Sequence, residues 1–265
     1  MVLPNFRIGV TGAAGRVARE LIPRLSSAGH YLRLSDRAEV PSELAALAEV
    51  VERVDLGDCG RHAQLFDTCD IVIHLGGVAM EHDWSTIVAA NITGTRNVLQ
   101  AAVDASVGTV IIGSSIHAAG MLSVAQVAAA QVDAVAPDGY YGVSKIASEA
   151  LGSLYATRFG LRVISVRICT FGAQPEPGRG HATWLAPDDL VRLVEASASA
   201  PYGHHVVWGV SNNSAAWFPL AAGRRIGYAP VEDAAAFPDG APLPSRHALI
   251  GGVVTGDGYP VGQPW

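Results

Sequence analysis

RIGVTGAAGRV, residues 7–17, is the stretch of sequence that decides the fold. A short apolar run leads directly into a loop that contains Gly12 and Gly15, and a helical pattern follows over residues 16–28. Glycine lets the backbone turn tightly and approach a ligand, while the amino end of the next helix attracts phosphate. The stretch therefore predicts the strand–loop–helix unit with which a Rossmann-type domain binds a dinucleotide.

The same alternation continues through the first two thirds of the chain. Short apolar runs predict six strands at residues 7–11, 31–34, 50–54, 70–75, 107–113 and 162–167, and helical patterns cover residues 16–28, 85–105 and 141–159. Strands that alternate with helices form a parallel sheet with helices on both faces. We therefore predict an α/β fold with a Rossmann-type, doubly wound parallel sheet.

The pattern changes near residue 170. The later residues are rich in Gly and Pro, with one helix predicted near residues 187–198 and one strand at residues 206–207. Ligands of open α/β sheets bind beyond the carboxyl ends of the strands. We therefore expect residues 1–170 to form the dinucleotide-binding domain and residues 171–265 a small C-terminal lobe that caps the substrate. Residues 251–265 have no predicted element.

Composition excludes several classes of protein. A net charge of −6 leaves no basic surplus for nucleic acid, and no apolar run is long enough to span a membrane. The three cysteines, Cys59, Cys69 and Cys169, lack the spacing of metal ligands, so we expect reduced thiols and no metal. The first residues lack the pattern of a secretory signal, and a cytoplasmic location is therefore expected.

An acidic residue at the end of the second strand predicts the cofactor. Asp36 closes the run LRLSD, where a carboxylate can accept both ribose hydroxyls and would repel a 2′-phosphate. NAD is therefore favoured over NADP, although Arg16 and Arg37 leave NADP open, and Asp36 can also be a solvated strand end. The predicted cofactor-binding residues outside the catalytic group are Gly12, Ala14, Gly15, Arg16, Val17, Asp36, Asp55, Leu56, Leu75, Gly76 and Gly77.

YYGVSK places Tyr141 and Lys145 on one face of a helix, because side chains four residues apart are neighbours there. An ammonium beside a phenol stabilises the phenolate, so we expect Lys145 to lower the pKa of Tyr141 into the range where acid–base catalysis is efficient. We expect Ser115 to bond the substrate oxygen and Asn91 to hold a water that completes a proton path to Lys145. Tyr141, Lys145 and Asn91 are also expected to contact the cofactor.

These motifs carry a family resemblance. TGAAG, LSD, HLGG, NITGTRNVL and YYGVSK resemble the uronate dehydrogenases of the extended short-chain dehydrogenase/reductase superfamily. The resemblance implies oxidation of the anomeric hydroxyl of a hexuronate to an aldarolactone, with hydride passing to NAD. It also implies catalytic roles for Ser115, Tyr141 and Lys145. His117 would contact the substrate and Arg179 would bind its carboxylate, although a packed histidine and a surface arginine are the plainer interpretations.

Three positions depart from the family pattern. Ala79 and Thr170 stand where the family has serine, and Ile116 stands where it has asparagine. A site with fewer hydrogen-bonding side chains has weak means of demanding a hydroxyl. The departures indicate a substrate that carries fewer hydroxyls or is bound in a different orientation.

Two other functions remain open on the sequence alone. One is a sugar-nucleotide epimerase or dehydratase that retains NAD, against which the short C-terminal lobe counts. The other is a non-catalytic NAD sensor, a class that often lacks the Tyr/Lys pair. A homo-oligomer is expected, paired through the helices at residues 85–105 and 141–159.

Overall fold

The computed structural model describes residues 5–129, 132, 134–238, 243–245 and 247–264. Its centre is a seven-stranded sheet in the order β3-β2-β1-β4-β5-β6-β9 in which every neighbouring pair is parallel. The strands are β1 (Arg7–Thr11), β2 (Tyr31–Asp36), β3 (Val50–Arg53), β4 (Ile71–His74), β5 (Thr109–Ser115), β6 (Arg162–Ile168) and β9 (Gly203–Gly209). A separate parallel pair joins β7 (Thr170–Phe171) to β8 (Trp184–Leu185). The predicted Rossmann-type α/β fold is thereby confirmed.

The helices of the described residues lie between successive strands, except the last one, which follows β9. They are α1 (Arg16–Ser27), α2 (Ser42–Ala45), α3 (Cys59–Phe66), α4 (Trp84–Ile87), α5 (Gly94–Asp104), α6 (Val124–Ala129), α7 (Tyr140–Phe159), α8 (Gly180–Thr183), α9 (Pro187–Ala198) and α10 (Ala221–Arg225). Short 3₁₀ turns cover Ile116–Ala119, Ala234–Ala236 and Gly252–Thr255. In the part of the chain described here, no helix is both long and apolar enough to cross a lipid bilayer.

Two hydrophobic layers cover the two faces of the sheet, because successive residues of a strand point to opposite faces. Ile71 and Ile73 face the layer that holds α1 and α9, whereas Val72 faces the layer that holds α3, α5 and part of α7. In α1, Ala18, Leu21, Ile22 and Leu25 are buried at helical spacing, and this face packs on the sheet. Strands buried on both sides read as continuous apolar runs, and this is why IVIH in β4 was recognisable.

Several elements differ from the sequence prediction, among them the following three. The expected strand at residues 206–207 is the seven-residue β9, which pairs with β6 although its first residues are polar. The expected helix at residues 85–105 is divided by a π-helical segment, Val88–Thr93. The short helix α3 was missed, because its eight residues are too few to establish a pattern.

The division into two domains at residue 170 stays a prediction. The predicted C-terminal lobe, residues 171–265, supplies β9 to the central sheet and α9 to the layer that contains α1. It therefore forms part of the sheet and its core as well as covering the carboxyl end of the strands. Residues 1–4 and Trp265 lie outside the described residues.

The topology creates a crevice at the carboxyl end of the sheet. From β1 the chain moves outward to β2 and β3, then returns to β4 on the other side of β1. The loops that follow β1 and β4 therefore separate, and ligands of this architecture bind at such a switch point.

Candidate active site

A cavity of about 1020 Å³ opens at this switch point. Its wall includes residues of the glycine loop, the ends of β2, β4 and β5, and the first turns of α7. Of the predicted site residues, it brings together Gly12, Gly15, Arg16, Val17, Asp36, Asp55, Leu56, Leu75, Gly76, Gly77, Ala79, Ser115, Ile116, His117, Tyr141 and Lys145. Ala14, Asn91, Thr170 and Arg179 are not part of this wall. The ligand roles assigned to these residues stay predictions.

The glycine loop has the backbone form that close approach of a dinucleotide needs. Gly12 has φ +73°, and a Cβ added there would lie 2.6 Å from the backbone nitrogen of Gly76. A side chain at residue 12 would therefore both strain the backbone and fill the gap between the β1 and β4 loops. The amino end of α1 follows at Arg16, where its unpaired N–H groups can receive phosphate. The residues present therefore fit a dinucleotide.

Asp36 is fixed by the backbone around it. Its Oδ2 accepts the N–H of Ala14 at 3.0 Å, and its Oδ1 accepts the N–H of Ala38 at 2.9 Å. Each carboxylate oxygen retains further acceptor capacity. Ala14 thus contributes by orienting Asp36 rather than by lining the cavity, and Arg16 and Arg37 line the same end.

We expect Asp36→Ala to weaken NAD binding by about tenfold and to reduce the preference for NAD over NADP, because the charge that accepts ribose hydroxyls and repels a 2′-phosphate is lost. Dissociation constants for both dinucleotides, measured by calorimetry, test this. Asp36→Asn is the control, because it keeps the shape of the side chain without its charge. An unchanged ratio of the two constants in both variants would contradict the role of Asp36.

Tyr141, Ser115 and Lys145 meet at the other end of the cavity. Ser115 ends β5, and its hydroxyl lies near the buried phenol of Tyr141 in the first turn of α7, where it favours the phenolate. One helical turn further on, the Nζ of Lys145 lies 5.3 Å from the centroid of the Tyr141 ring and donates to the carbonyl of Gly113 at 2.7 Å. An acid–base phenol, a hydroxyl donor and an ammonium therefore share one wall.

Burial controls the protonation of this group. It raises the pKa of Tyr141 to about 12, against a lowering by the hydrogen bond from Ser115. It also lowers the pKa of Lys145 to about 8, with Glu149 acting in the opposite sense. The expected net lowering of the Tyr141 pKa is therefore not found, because desolvation of the phenolate and the nearby charge of Asp138 outweigh the effect of Ser115.

The substrate end of the cavity is largely apolar. Ala79 and Ile116, two of the departures from the family pattern, lie in its wall, as sequence analysis expected. Met80, Cys169 and Phe171 also line it and were not predicted. His117 also lies in this wall, with its ring edge-on to Tyr141 at 5.8 Å between centroids.

Comparison with known proteins agrees with this arrangement. Residues 8–209 match the model of the NAD dependent epimerase/dehydratase family. The chain belongs to this family.

A uronate dehydrogenase of Pseudomonas syringae pv. tomato is 35% identical over 249 residues, which cover 91% of this chain and 89% of that protein. A uronate dehydrogenase of Agrobacterium fabrum is 35% identical over 232 residues, 87% and 86% of the two chains. The structure of a mutant uronate dehydrogenase from Agrobacterium tumefaciens complexed with NAD has a TM-score of 0.85 at 30% identity, covering 97% of this chain and 100% of that one. The expected NAD-dependent oxidoreductase is thereby confirmed.

In this member of the family, Asn91 has a different environment from the one predicted. Its Oδ1 accepts the N–H of Val78 at 2.8 Å, and its Nδ2 donates to the carbonyl of Val78 and to the hydroxyl of Ser144. The amide is therefore occupied in bracing the loop after β4 against α7, and it does not line the cavity. The π-helical segment that carries Asn91 could not be read from the sequence. The water-holding role stays a prediction.

Thr170 also faces away from the cavity. Its hydroxyl lies 2.7 Å from that of Thr183, while its neighbours Cys169 and Phe171 line the wall. Successive residues of an extended chain point to opposite sides, so only alternate residues here can reach a substrate.

Arg179 lies beside the C-terminal segment. Its Nη2 donates to the carbonyl of Ile250, and a Cβ added at Gly252 would meet its Nη1. Burial lowers the pKa of the Arg179 guanidinium. Contact with a substrate carboxylate therefore requires this side chain to turn from Ile250 toward the cavity.

Sequence reasoning missed two further polar residues. The Oδ2 of Asp138 lies 2.6 Å from the Nδ1 of His117, and Asp138 could have been noticed as the acidic residue just before α7. His74 is fully enclosed between the hydroxyls of Thr11 and Thr95, at 2.8 and 3.0 Å. Burial lowers the pKa of His74 to about 3, so this histidine is a neutral bridge between the glycine loop and α5.

Proposed function

We propose that the protein oxidises the anomeric hydroxyl of a uronate, or of a closely related carboxylated sugar, with NAD as the hydride acceptor. The observation that carries the proposal is that Tyr141, Ser115 and Lys145 share one wall of the cavity that also contains the glycine loop. The similarity to uronate dehydrogenases over about nine tenths of the chain supports the class of substrate.

The chain's own residues supply the proton chemistry. The hydroxyl of Ser115 bonds the substrate oxygen and orients it toward Tyr141, whose oxygen accepts the hydroxyl proton once the phenol has released its own proton to solvent. Lys145, four residues along the same helix face, supplies a positive charge that stabilises the negative charge of the phenolate. NAD, when bound, supplies the acceptor for the hydride that leaves the carbon bearing this hydroxyl. The products are the lactone, NADH and one proton.

The apolar wall limits which sugars fit. Ala79 and Ile116 offer no side-chain hydrogen bond to a hydroxyl, and Met80 and Phe171 add apolar surface. A hydroxyl directed at this wall would lose its bonds to water without replacement, at a cost of about 1–3 kcal/mol. The preferred substrate therefore directs few hydroxyls toward Ala79 and Ile116.

Absorbance of NADH tests the proposal directly. Glucuronate and galacturonate, each paired with the neutral glucose or galactose as a control, are incubated with the protein and NAD. Formation of NADH with either acid, exceeding that with its neutral partner, is the expected result. If the protein is folded and binds NAD but turns over neither acid, the proposal that its substrate is a uronate is excluded. Tightly retained NAD without net NADH would favour the epimerase or dehydratase alternative.

Arg179→Met tests whether Arg179 causes the preference for a uronate over the neutral sugar. If Arg179 binds the substrate carboxylate, kcat/KM for the uronate falls by about 10- to 100-fold, since a charge-assisted hydrogen bond is worth roughly 1.5–3 kcal/mol. The ratio of uronate to neutral sugar is the informative measurement, because a loss of packing at Ile250 would affect both substrates. Arg179→Lys, which keeps the charge, should retain part of the preference. An unaltered ratio in Arg179→Met would remove Arg179 from substrate binding.

We also propose a cytoplasmic location and a homo-oligomer paired through α5 and α7. Leu154 and Phe159 on α7 are each about half exposed, 50% and 51%, although large apolar side chains are usually covered. A second copy packed on the exposed side of α7 would cover Leu154, whereas Phe159, five residues further on and on a different side of the helix, stacks on Tyr155 of its own chain.

A further inference from the structure

Glu81 is a buried carboxylate in the loop between β4 and α4 that the proposed reaction does not use. It is 1% exposed. Its Oε2 accepts the N–H of Tyr141 at 2.8 Å, and its Oε1 accepts the N–H of Tyr140 at 2.9 Å. Its Oε1 also accepts the N–H of Gly262 at 2.8 Å, from a residue 181 positions later in the chain. One side chain thus joins the start of the catalytic helix to the C-terminal segment.

The start of α7 requires such a partner. The first N–H groups of a helix have no acceptor within the helix, and negative charge is favourable there. The N-cap residue is Gly139, which supplies no side-chain acceptor. A Cβ at Gly139 would lie 2.5 Å from Oε2 of Glu81, so glycine leaves the space that the carboxylate occupies. Backbone N–H groups only donate, and a carboxylate only accepts, so the two are matched.

The loop that carries Glu81 also forms the cavity wall. Ala79 and Met80 line the substrate end, and Asn91 holds both backbone groups of Val78. The bonds from Glu81 therefore fix the backbone of Tyr141 relative to the wall against which the substrate lies. Displacement of a reacting group by about 1 Å can cost on the order of 100-fold in rate.

We propose that Glu81 is a positioning residue, which sets the distance between Tyr141 and the substrate wall and includes the C-terminal segment in that arrangement through Gly262. This inference rests on the proposed function, because it takes Tyr141 as the catalytic acid–base group.

Glu81→Gln is the sharp test. The amide oxygen can still accept from Tyr140 and Gly262, but the NH₂ group would present its donors to the N–H of Tyr141. The expected result is a 10- to 100-fold loss of kcat, with KM for the sugar and the dissociation constant of NAD within threefold of the wild type. A kcat within twofold of the wild type would overturn the proposal.

Asp189→Asn is the matched control. Asp189 is another buried carboxylate near a helix start, and it accepts the N–H groups of Val231 at 2.8 Å and Glu232 at 3.1 Å, as well as Nη1 of Arg192 at 2.6 Å. It lies in α9, outside the cavity wall. We expect a comparable loss of thermal stability but an unchanged kcat. Equal losses of kcat in both variants would show a general effect on folding and would overturn the positioning role.

Gly262→Pro examines the C-terminal contact in the whole chain: it removes the N–H that Glu81 accepts and, because Gly262 has φ +82°, which proline cannot adopt, it also displaces the segment around residue 262. We expect kcat to fall by three- to tenfold, while Gly258→Pro, at a residue where an added Cβ meets nothing within 4 Å, leaves it unchanged. Equal kcat values in the two proline variants would overturn the part of the proposal that concerns Gly262.

Failure of the proposed function is distinguishable from failure of this inference. If the wild type turns over no sugar, or Tyr141→Phe is as active as the wild type, the proposed function fails. Hydrogen exchange at the amides of Tyr140 and Tyr141 then decides whether Glu81 holds this helix start: faster exchange in Glu81→Gln, but not in Asp189→Asn, supports the contact, and unchanged exchange overturns it.

Discussion

Replacing Tyr141 with Phe is expected to lower kcat by about 1,000-fold while leaving the dissociation constant of NAD within about threefold of the wild type, since positioned acid–base groups contribute roughly 10²–10⁴-fold. The substitution removes only the phenol oxygen and keeps the buried ring that packs against His117. Steady-state kinetics with a uronate, together with NAD binding by calorimetry, measure the two effects separately.

The effect on stability should be small. Burial raises the pKa of Tyr141 to about 12, so the wild-type phenol is neutral in the free protein and its removal leaves no buried charge. A large loss of kcat with an unchanged melting temperature therefore identifies chemistry rather than folding. A Tyr141→Phe variant within tenfold of the wild type would contradict the assignment of Tyr141 as the acid–base group.

Local patterns in the sequence were sufficient for the fold and for part of the site. The loop around Gly12 and the pair Tyr141 and Lys145 depend on spacings of a few residues, which strand and helix geometry convert directly into position. Ser115 follows from the end of a buried strand. In each case the residues that determine the geometry are close together in the chain.

Contacts between distant residues could not be predicted in this way. Glu81 accepts a hydrogen bond from Tyr141, which is 60 residues away in the chain, and the Arg179 guanidinium donates to the carbonyl of Ile250, which is 71 residues away. The sequence contains no periodic signal for either contact. The same limitation explains the error about the Tyr141 pKa, because the proximity of Lys145 was visible in the sequence whereas the extent of burial was not.

Glu149→Ala is expected to reduce the free energy of unfolding by about 3–5 kcal/mol, because it leaves the charge of Arg167 buried without its partner. Arg167 is fully buried and Glu149 is 8% exposed in their side chains, with Nη2 and Oε2 2.8 Å apart. Oε1 of Glu149 accepts from Nε of Arg167 at 2.8 Å and from the hydroxyl of Ser114 at 2.6 Å. For a chain of this length, the expected fall in melting temperature is roughly 10 °C.

Glu49→Ala is the matched control for this prediction. Arg7 and Glu49 form a pair at a similar distance, 2.9 Å, but their side chains are 36% and 39% exposed. Exposed pairs contribute about 0–1 kcal/mol, so the melting temperature should change by no more than a few degrees. Equal shifts in the two variants would contradict the role assigned to burial. The double variant Glu149→Leu with Arg167→Met should recover much of the lost stability, because no unpaired charge remains.

Glu149→Ala should also change the dependence of activity on pH. Glu149 lies one helical turn beyond Lys145 and raises its pKa, which burial lowers to about 8. Without the Glu149 charge, the pKa of Lys145 falls further, so the ammonium that opposes the charge of the Tyr141 phenolate is lost at a lower pH. A pH–kcat profile measured well below the melting temperature should therefore show its alkaline limb moved toward acid in Glu149→Ala and unmoved in Glu49→Ala. An unmoved limb in Glu149→Ala would show that the Glu149–Arg167 ion pair stabilises the fold without affecting the reaction.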